Sequence, residues 1–188
     1  MSREIYRSVF AETIALHERV RDMDERPVLD AARAIVEAIG RGGKVIAFGN
    51  GGSAADAQHL AAELVGRFQR ERSGVAVVAL TTDASVLTGI ANDYGFERVF
   101  ARQVEALGRP GDVAVGLSTS GRSPNVIAGL KAAAERGLQT LALTGGDGGE
   151  VGRAAAIHVN VPSSSPARVQ DVHRTLLHVI CEIVERAL

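Results

Sequence analysis

The chain has 188 residues and a formal net charge of −1, from 21 Lys and Arg against 22 Asp and Glu. That length fits one domain with a sizeable core, and the near-neutral balance excludes the global basic field that holds nucleic acid. The single cysteine excludes an internal disulfide, and the absence of an eighteen-residue apolar run or a secretory leader points to a cytoplasmic chain with no membrane span.

In chain order, residues 2–22 predict an amphipathic helix with Ile5, Val9, Ile14 and Leu16 among charged neighbours. Pro27 opens a second helix, Val28 to Ile39, closed by Arg41-Gly42-Gly43. A first strand is expected at Lys44–Phe48 and a third helix at Ala54–Phe68. Val75–Leu80 reads as a strand buried on both faces of a parallel sheet. Helical segments follow at Ala84–Ala91 and Phe96–Leu107, then a turn at Pro110-Gly111-Asp112 and a strand at Val113–Leu117. Pro124 sits in the first turn of a helix over Asn125–Arg136 that Gly137 closes. The remaining elements are strands at Thr140–Leu143 and Ile157–Val161 and a long helix over Arg168–Ala187. Strands alternating with helices predict an α/β domain: a five-stranded parallel sheet flanked by helices on both faces, with two extra N-terminal helices that pack on the core or on another subunit.

Two strand-to-helix turns carry the chemistry. The first is Asn50-Gly51-Gly52-Ser53, where glycine permits close approach and the free N–H groups of a helix start favour an anion or polar oxygen. The second places Ser118, Thr119, Ser120 and Ser123 around another helix N-terminus. One hydroxyl suffices for an N-cap, and four exceed that need. Together they suggest a bound sugar phosphate, held without a lysine. Neither turn carries a dinucleotide fingerprint or a Walker lysine, which disfavours NAD and nucleoside triphosphates.

On the third helix Asp56, His59, Glu63 and Arg67 form one polar stripe. This is either an ordinary solvated face or a place where His59 and Glu63 offer an imidazole and a carboxylate to one metal ion or substrate. On the C-terminal helix Asp171, Arg174, His178, Glu182 and Glu185 share a polar stripe, with Gln170 and His173 near its edge. Cys181 reads as a core residue, and His17 and His158 have no supporting neighbours and imply no chemistry.

The segments GNGGSAADAQHLAAEL, TGIANDYGF, LSTSGRSPNVI, LTGGDGG and ARVQDVHRTLLHVICEIVE resemble, in order and over nearly the whole chain, the phosphoheptose (sedoheptulose-7-phosphate) isomerases, a family of sugar-isomerase (SIS) domain proteins. The resemblance implies a single SIS domain over residues 1–188. It implies a homotetramer that converts D-sedoheptulose 7-phosphate to D-glycero-D-manno-heptose 7-phosphate for heptose biosynthesis. It also implies one zinc ion per subunit on His59, Glu63, Gln170 and His178, and substrate contacts from Asn50, Gly51, Gly52, Ser53, Glu63, Asn92, Asp93, Ser118, Thr119, Ser120, Ser123 and Gln170. Glu63 and His178 are the expected acid–base pair. The chain departs from the family's A-D-R-I-Q pattern at Ala167, where many members carry Asp.

Three competing readings differ in what they require. The DnaA-associating proteins of the same fold are non-catalytic and carry Ser and Asn where Glu63 and His178 stand here. Sugar-phosphate-sensing regulators carry a separate helix–turn–helix domain, for which this length leaves no room. An isomerase of another sugar phosphate stays open. Spacing adds one expectation: on a straight helix Gln170 and His178 differ by roughly 12 Å in height and 80° in direction. Either that helix starts irregularly or the ligands come from two chains, and the second predicts an active site at a subunit interface.

Overall fold

Period-two alternation in the strands sets the architecture. In the computed structural model, which describes residues 1–188, Val45 and Ala47 of β1 (Val45–Gly49) point to one side of the sheet and Ile46 and Phe48 to the other, all fully buried. β3 (Val113–Ser118) and β4 (Gln139–Gly145) repeat the pattern, with Val113, Val115, Leu117, Leu141 and Leu143 on the first side and Ala114 and Ala142 on the second. A strand apolar on both faces is stable only between two helical layers. The first layer holds α1 (Ser2–Arg21), α2 (Arg26–Gly40), α3 (Gly52–Val65) and α8 (Pro166–Ala187). The second holds α4 (Ala84–Tyr94), α5 (Val99–Leu107), α6 (Pro124–Glu135) and the short α7 (Gly149–Arg153). The two extra N-terminal helices, α1 and α2, both pack on α8.

With β2 (Val77–Ala79) and β5 (Ile157–Val161) the sheet has five parallel strands in the order β2-β1-β3-β4-β5. The chain leaves β1 in one direction to make β2 and returns on the other side to make β3. The crevice between the carboxyl ends of β1 and β3 is therefore the topological switch point, where ligands of open α/β sheets bind.

Some elements differ from expectation for identifiable reasons. The strand expected over Val75–Leu80 to be buried on both faces shrinks to Val77–Ala79. It is a sheet edge paired only with β1, and Val78 is exposed. The helix expected to reach Phe68 stops at Val65, because residues 68–70 turn their N–H groups to the Glu185 carboxylate. Asn92 and Asp93 fall inside α4 rather than beyond it. α7 was not anticipated, since Gly149 and Gly152 leave no apolar period to read. No helix is long and apolar enough to cross a membrane.

Candidate active site

Both glycine- and serine-rich turns lie at the switch point, side by side. The Asn50 and Asn125 amides join them: Asn50 Nδ2 donates to Asn125 Oδ1 at 2.8 Å and Asn125 Nδ2 donates back at 2.9 Å. At the first turn Gly51 has φ +55°, and Gly52 opens α3 so close to the Gln170 amide that a Cβ there would collide with it. Ser53 is buried beneath them. At the second turn Ser123 stands at the N-cap of α6, yet its hydroxyl makes no capping bond. It pairs instead with Ser118 Oγ at 2.9 Å, and Ser118 Oγ lies 3.4 Å from Ser120 Oγ. Thr119 is half-buried and Ser120 exposed at the mouth. The hydroxyls form a cluster of their own, the arrangement a tetrahedral oxyanion uses and a cap does not.

Parallel packing of α3 on α8 builds the second part of the site. Along the two helices Gly52 meets Gln170, Asp56 meets Arg174, and His59 meets His178. His59 Nε2 lies 2.7 Å from His178 Nε2 and 3.4 Å from the Glu63 carboxylate. One donor atom from each of His59, Glu63 and His178 lies within 4.8 Å of the others, and all three side chains are half-buried. Two imidazoles and a carboxylate are a donor set that suits a borderline divalent metal. The Phe68 ring leans on His178, with centroids 5.5 Å apart.

α8 runs without interruption from Pro166 to Ala187, so the irregular start that would have brought Gln170 to the cluster is absent. The Gln170 amide rests on Gly52, seven residues and hence roughly 10 Å along α3 from His59. Gln170 and His178 line one groove of about 710 Å³ together with Val9, Phe10, Thr13, Asp56 and Arg168. Asn92 and Asp93 are exposed in the last turn of α4, bonded to each other rather than to either turn.

Several supporting residues escaped the sequence reading. Asp56 and Glu185, each expected on a polar stripe of its helix, are 2% and 5% exposed. Asp56 accepts from Arg174 at 2.7 Å. Glu185 accepts the N–H groups of Phe68, Gln69 and Arg70 at 2.9, 2.8 and 2.9 Å, while Arg72 next to it donates to the Glu63 and Leu64 carbonyls. Burial opposes the charge on Glu185, but those three N–H groups and Arg72 outweigh it and hold the carboxyl below its ordinary range. A buried acid anchoring a loop leaves no sequence periodicity. Asn125 had a weak signal, its place beside Pro124 in the first turn of α6. Cys181 is fully buried, and that burial pushes its thiol up to about 12, which suits a core residue and not a nucleophile.

A parallel three-layer domain with a glycine-rich and a serine-rich turn at its switch point defines an SIS-type α/β fold, and the SIS domain family model matches residues 9–145. A phosphoheptose isomerase from Roseiflexus sp. is 53% identical over 94% of this chain and 89% of its own length. One from Aquifex aeolicus is 51% identical over 97% and 95%. Among solved structures, a phosphoheptose isomerase from Neisseria gonorrhoeae superposes with a TM-score of 0.94 at 45% identity, covering 99% of this chain and all of that one. The chain belongs to the SIS domain family and, within it, to the phosphoheptose isomerases.

Proposed function

We propose that the chain interconverts D-sedoheptulose 7-phosphate and D-glycero-D-manno-heptose 7-phosphate, acting in heptose biosynthesis in the cytoplasm. The observation that carries this reading is the His59–Glu63–His178 cluster, built on the same helix, α3, that the first switch-point turn opens. The hydroxyl residues of the second turn, Ser118, Thr119, Ser120 and Ser123, hold the phosphate, and Asn50, Gly51, Gly52 and Ser53 hold sugar oxygens. Ketose-to-aldose conversion removes a proton from C1, protonates the C2 oxygen to give an enediol, then protonates C2 while the C1 hydroxyl gives up its proton. Glu63 and His178 are the pair that accept and return those protons. Zinc, one ion per subunit, fits His59, Glu63 and His178, with Gln170 as a fourth ligand, and supplies Lewis-acid polarisation of the carbonyl oxygen when bound.

The distance between Gln170 and His59 along α3 supports a site assembled from two subunits of a homotetramer, the Gln170 and turn region of one facing the His–Glu–His cluster of another. An exposed apolar stripe on α1, Ile5, Val9, Phe10 and Ile14, borders the groove and supplies a surface for that contact. Asn92 and Asp93 then serve a neighbouring subunit's substrate. The test is to incubate purified protein with sedoheptulose 7-phosphate and follow aldose formation with and without a chelator. Turnover that a chelator abolishes and zinc restores is expected; absence of aldose product in the zinc-loaded protein overturns the reading.

A further inference from the structure

His158 lies on the edge strand β5, and its hydrogen bonds have a defined direction. Asn160 Nδ2 donates to the Gly146 carbonyl at 3.1 Å, which leaves Asn160 Oδ1 as an acceptor. Thr144 Oγ1 gives its one proton to that oxygen at 2.8 Å. The 2.6 Å contact between His158 Nε2 and Thr144 Oγ1 therefore requires the proton on Nε2. The imidazole ring so fixed lies against Gly148 and Gly152, its Cε1 and Nε2 atoms close enough that a Cβ on either would collide with them. The other side of the same loop, residues 145–149, is pressed onto the serine turn. Gly121, with φ +65°, has no room for a Cβ against the Gly148 carbonyl, and Val151 N donates to the Gly121 carbonyl at 2.9 Å. Gly121 stands between Ser120 and Ser123.

We infer that His158 is a positioning residue for the phosphate cradle: through the 145–149 loop its ring sets the turn that carries Ser118, Ser120 and Ser123. It touches no substrate itself. The inference rests on the assignment of that turn to the phosphate. A side chain that only stabilised the fold would leave affinity in the folded protein unchanged, whereas a backstop for the cradle shifts affinity and spares the proton-transfer groups.

The experiment compares the zinc-loaded wild type with His158→Ala and His158→Gln, measuring inorganic phosphate binding by calorimetry and KM and kcat with sedoheptulose 7-phosphate. In His158→Ala we expect phosphate binding weaker, and KM higher, by about ten-fold, with kcat within about two-fold, as for loss of oriented hydrogen-bond donors. His158→Gln keeps an N–H for Thr144 but not the ring, and should fall between; it decides the matter where the alanine protein does not fold. Unchanged phosphate affinity and KM in the folded variants, or a kcat loss without a KM change, overturns the inference. A wild type that binds phosphate but makes no aldose sinks the isomerase reading instead, and the binding comparison still tests His158.

Discussion

His59 and Glu63 stand one turn apart on α3, and His178 meets them from α8 at 2.7 Å. If Glu63 and His178 move the protons, Glu63→Gln and His178→Gln will fold with unchanged circular dichroism. Each will lose about a hundred- to ten-thousand-fold in kcat, the range a positioned acid or base supplies. Near-normal turnover in both would remove them from the chemistry. Glu185 acts one step further out. Its carboxylate gathers three consecutive N–H groups, and the loop so held keeps Phe68 against His178 and Arg72 against the end of α3. Glu185→Gln replaces an anion that accepts from three donors with an amide that repels some of them. It should lower thermal stability and bound zinc together, read by calorimetry and metal analysis; zinc content unchanged in a destabilised protein would separate the loop from the cluster.

At the scale of elements, the packing of α3 on α8 is the decisive contact, because it brings the residues of one helix level with those of the other. Leu60 and Leu64 of α3 lie in the same buried cluster as Leu177, Ile180 and Val184 of α8. Leu60→Ala removes a side chain that is 1% exposed one residue from His59. It should cost about 2–5 kcal/mol, the usual range for such a core truncation, read from urea unfolding. A cost under about 0.5 kcal/mol, the size of a surface change, would mean that this interface is not what holds the helices in register. The helices and strands here were largely legible in sequence, since most follow from local periodicity; the one side-chain cap, Asp83 on α4, was not. The limits of β2 were not. Its apolar run is the same whether a strand is central or at an edge, and only the pairing order distinguishes them.

The whole molecule has a consistent response to acid. Burial holds His158 and His173 below the usual histidine value of 6.5. For Asp112 and Glu185 burial opposes the charge, but donors from Lys44 and Arg109 in one case, and from residues 68–70 and Arg72 in the other, hold the carboxyls below 3.8 and 4.5. All four bind protons more weakly in the folded chain than in the unfolded one, so unfolding takes up protons. Stability should therefore fall as pH drops through 6.5 with the histidines, and fall again below 4.5 with the carboxylates. A urea midpoint that stays level or rises on acidification contradicts this. The proposed two-chain site has its own test at this scale. Glu63→Gln and Gln170→Ala proteins, each inactive, should regain turnover when unfolded together and reassembled, because some sites then pair an intact cluster with an intact Gln170. No recovery in verified mixed oligomers would place the whole site in one chain.

The residues alone determined the order of the elements except α7, the parallel sheet, the glycine- and serine-rich turns and the His59–Glu63 pair, because spacing of two, three or four along the chain fixes which side chains share a face or a turn. They also carried the family resemblance. They could not show that His178 lies level with His59 rather than Gln170, that Asn50 and Asn125 tie the two turns together, or that Glu185 and His158 are anchors. Those pairs are separated by 75 to 119 residues, or act through a loop without periodicity. Such contacts arise only when strand order and helix packing bring distant segments to the same end of one sheet.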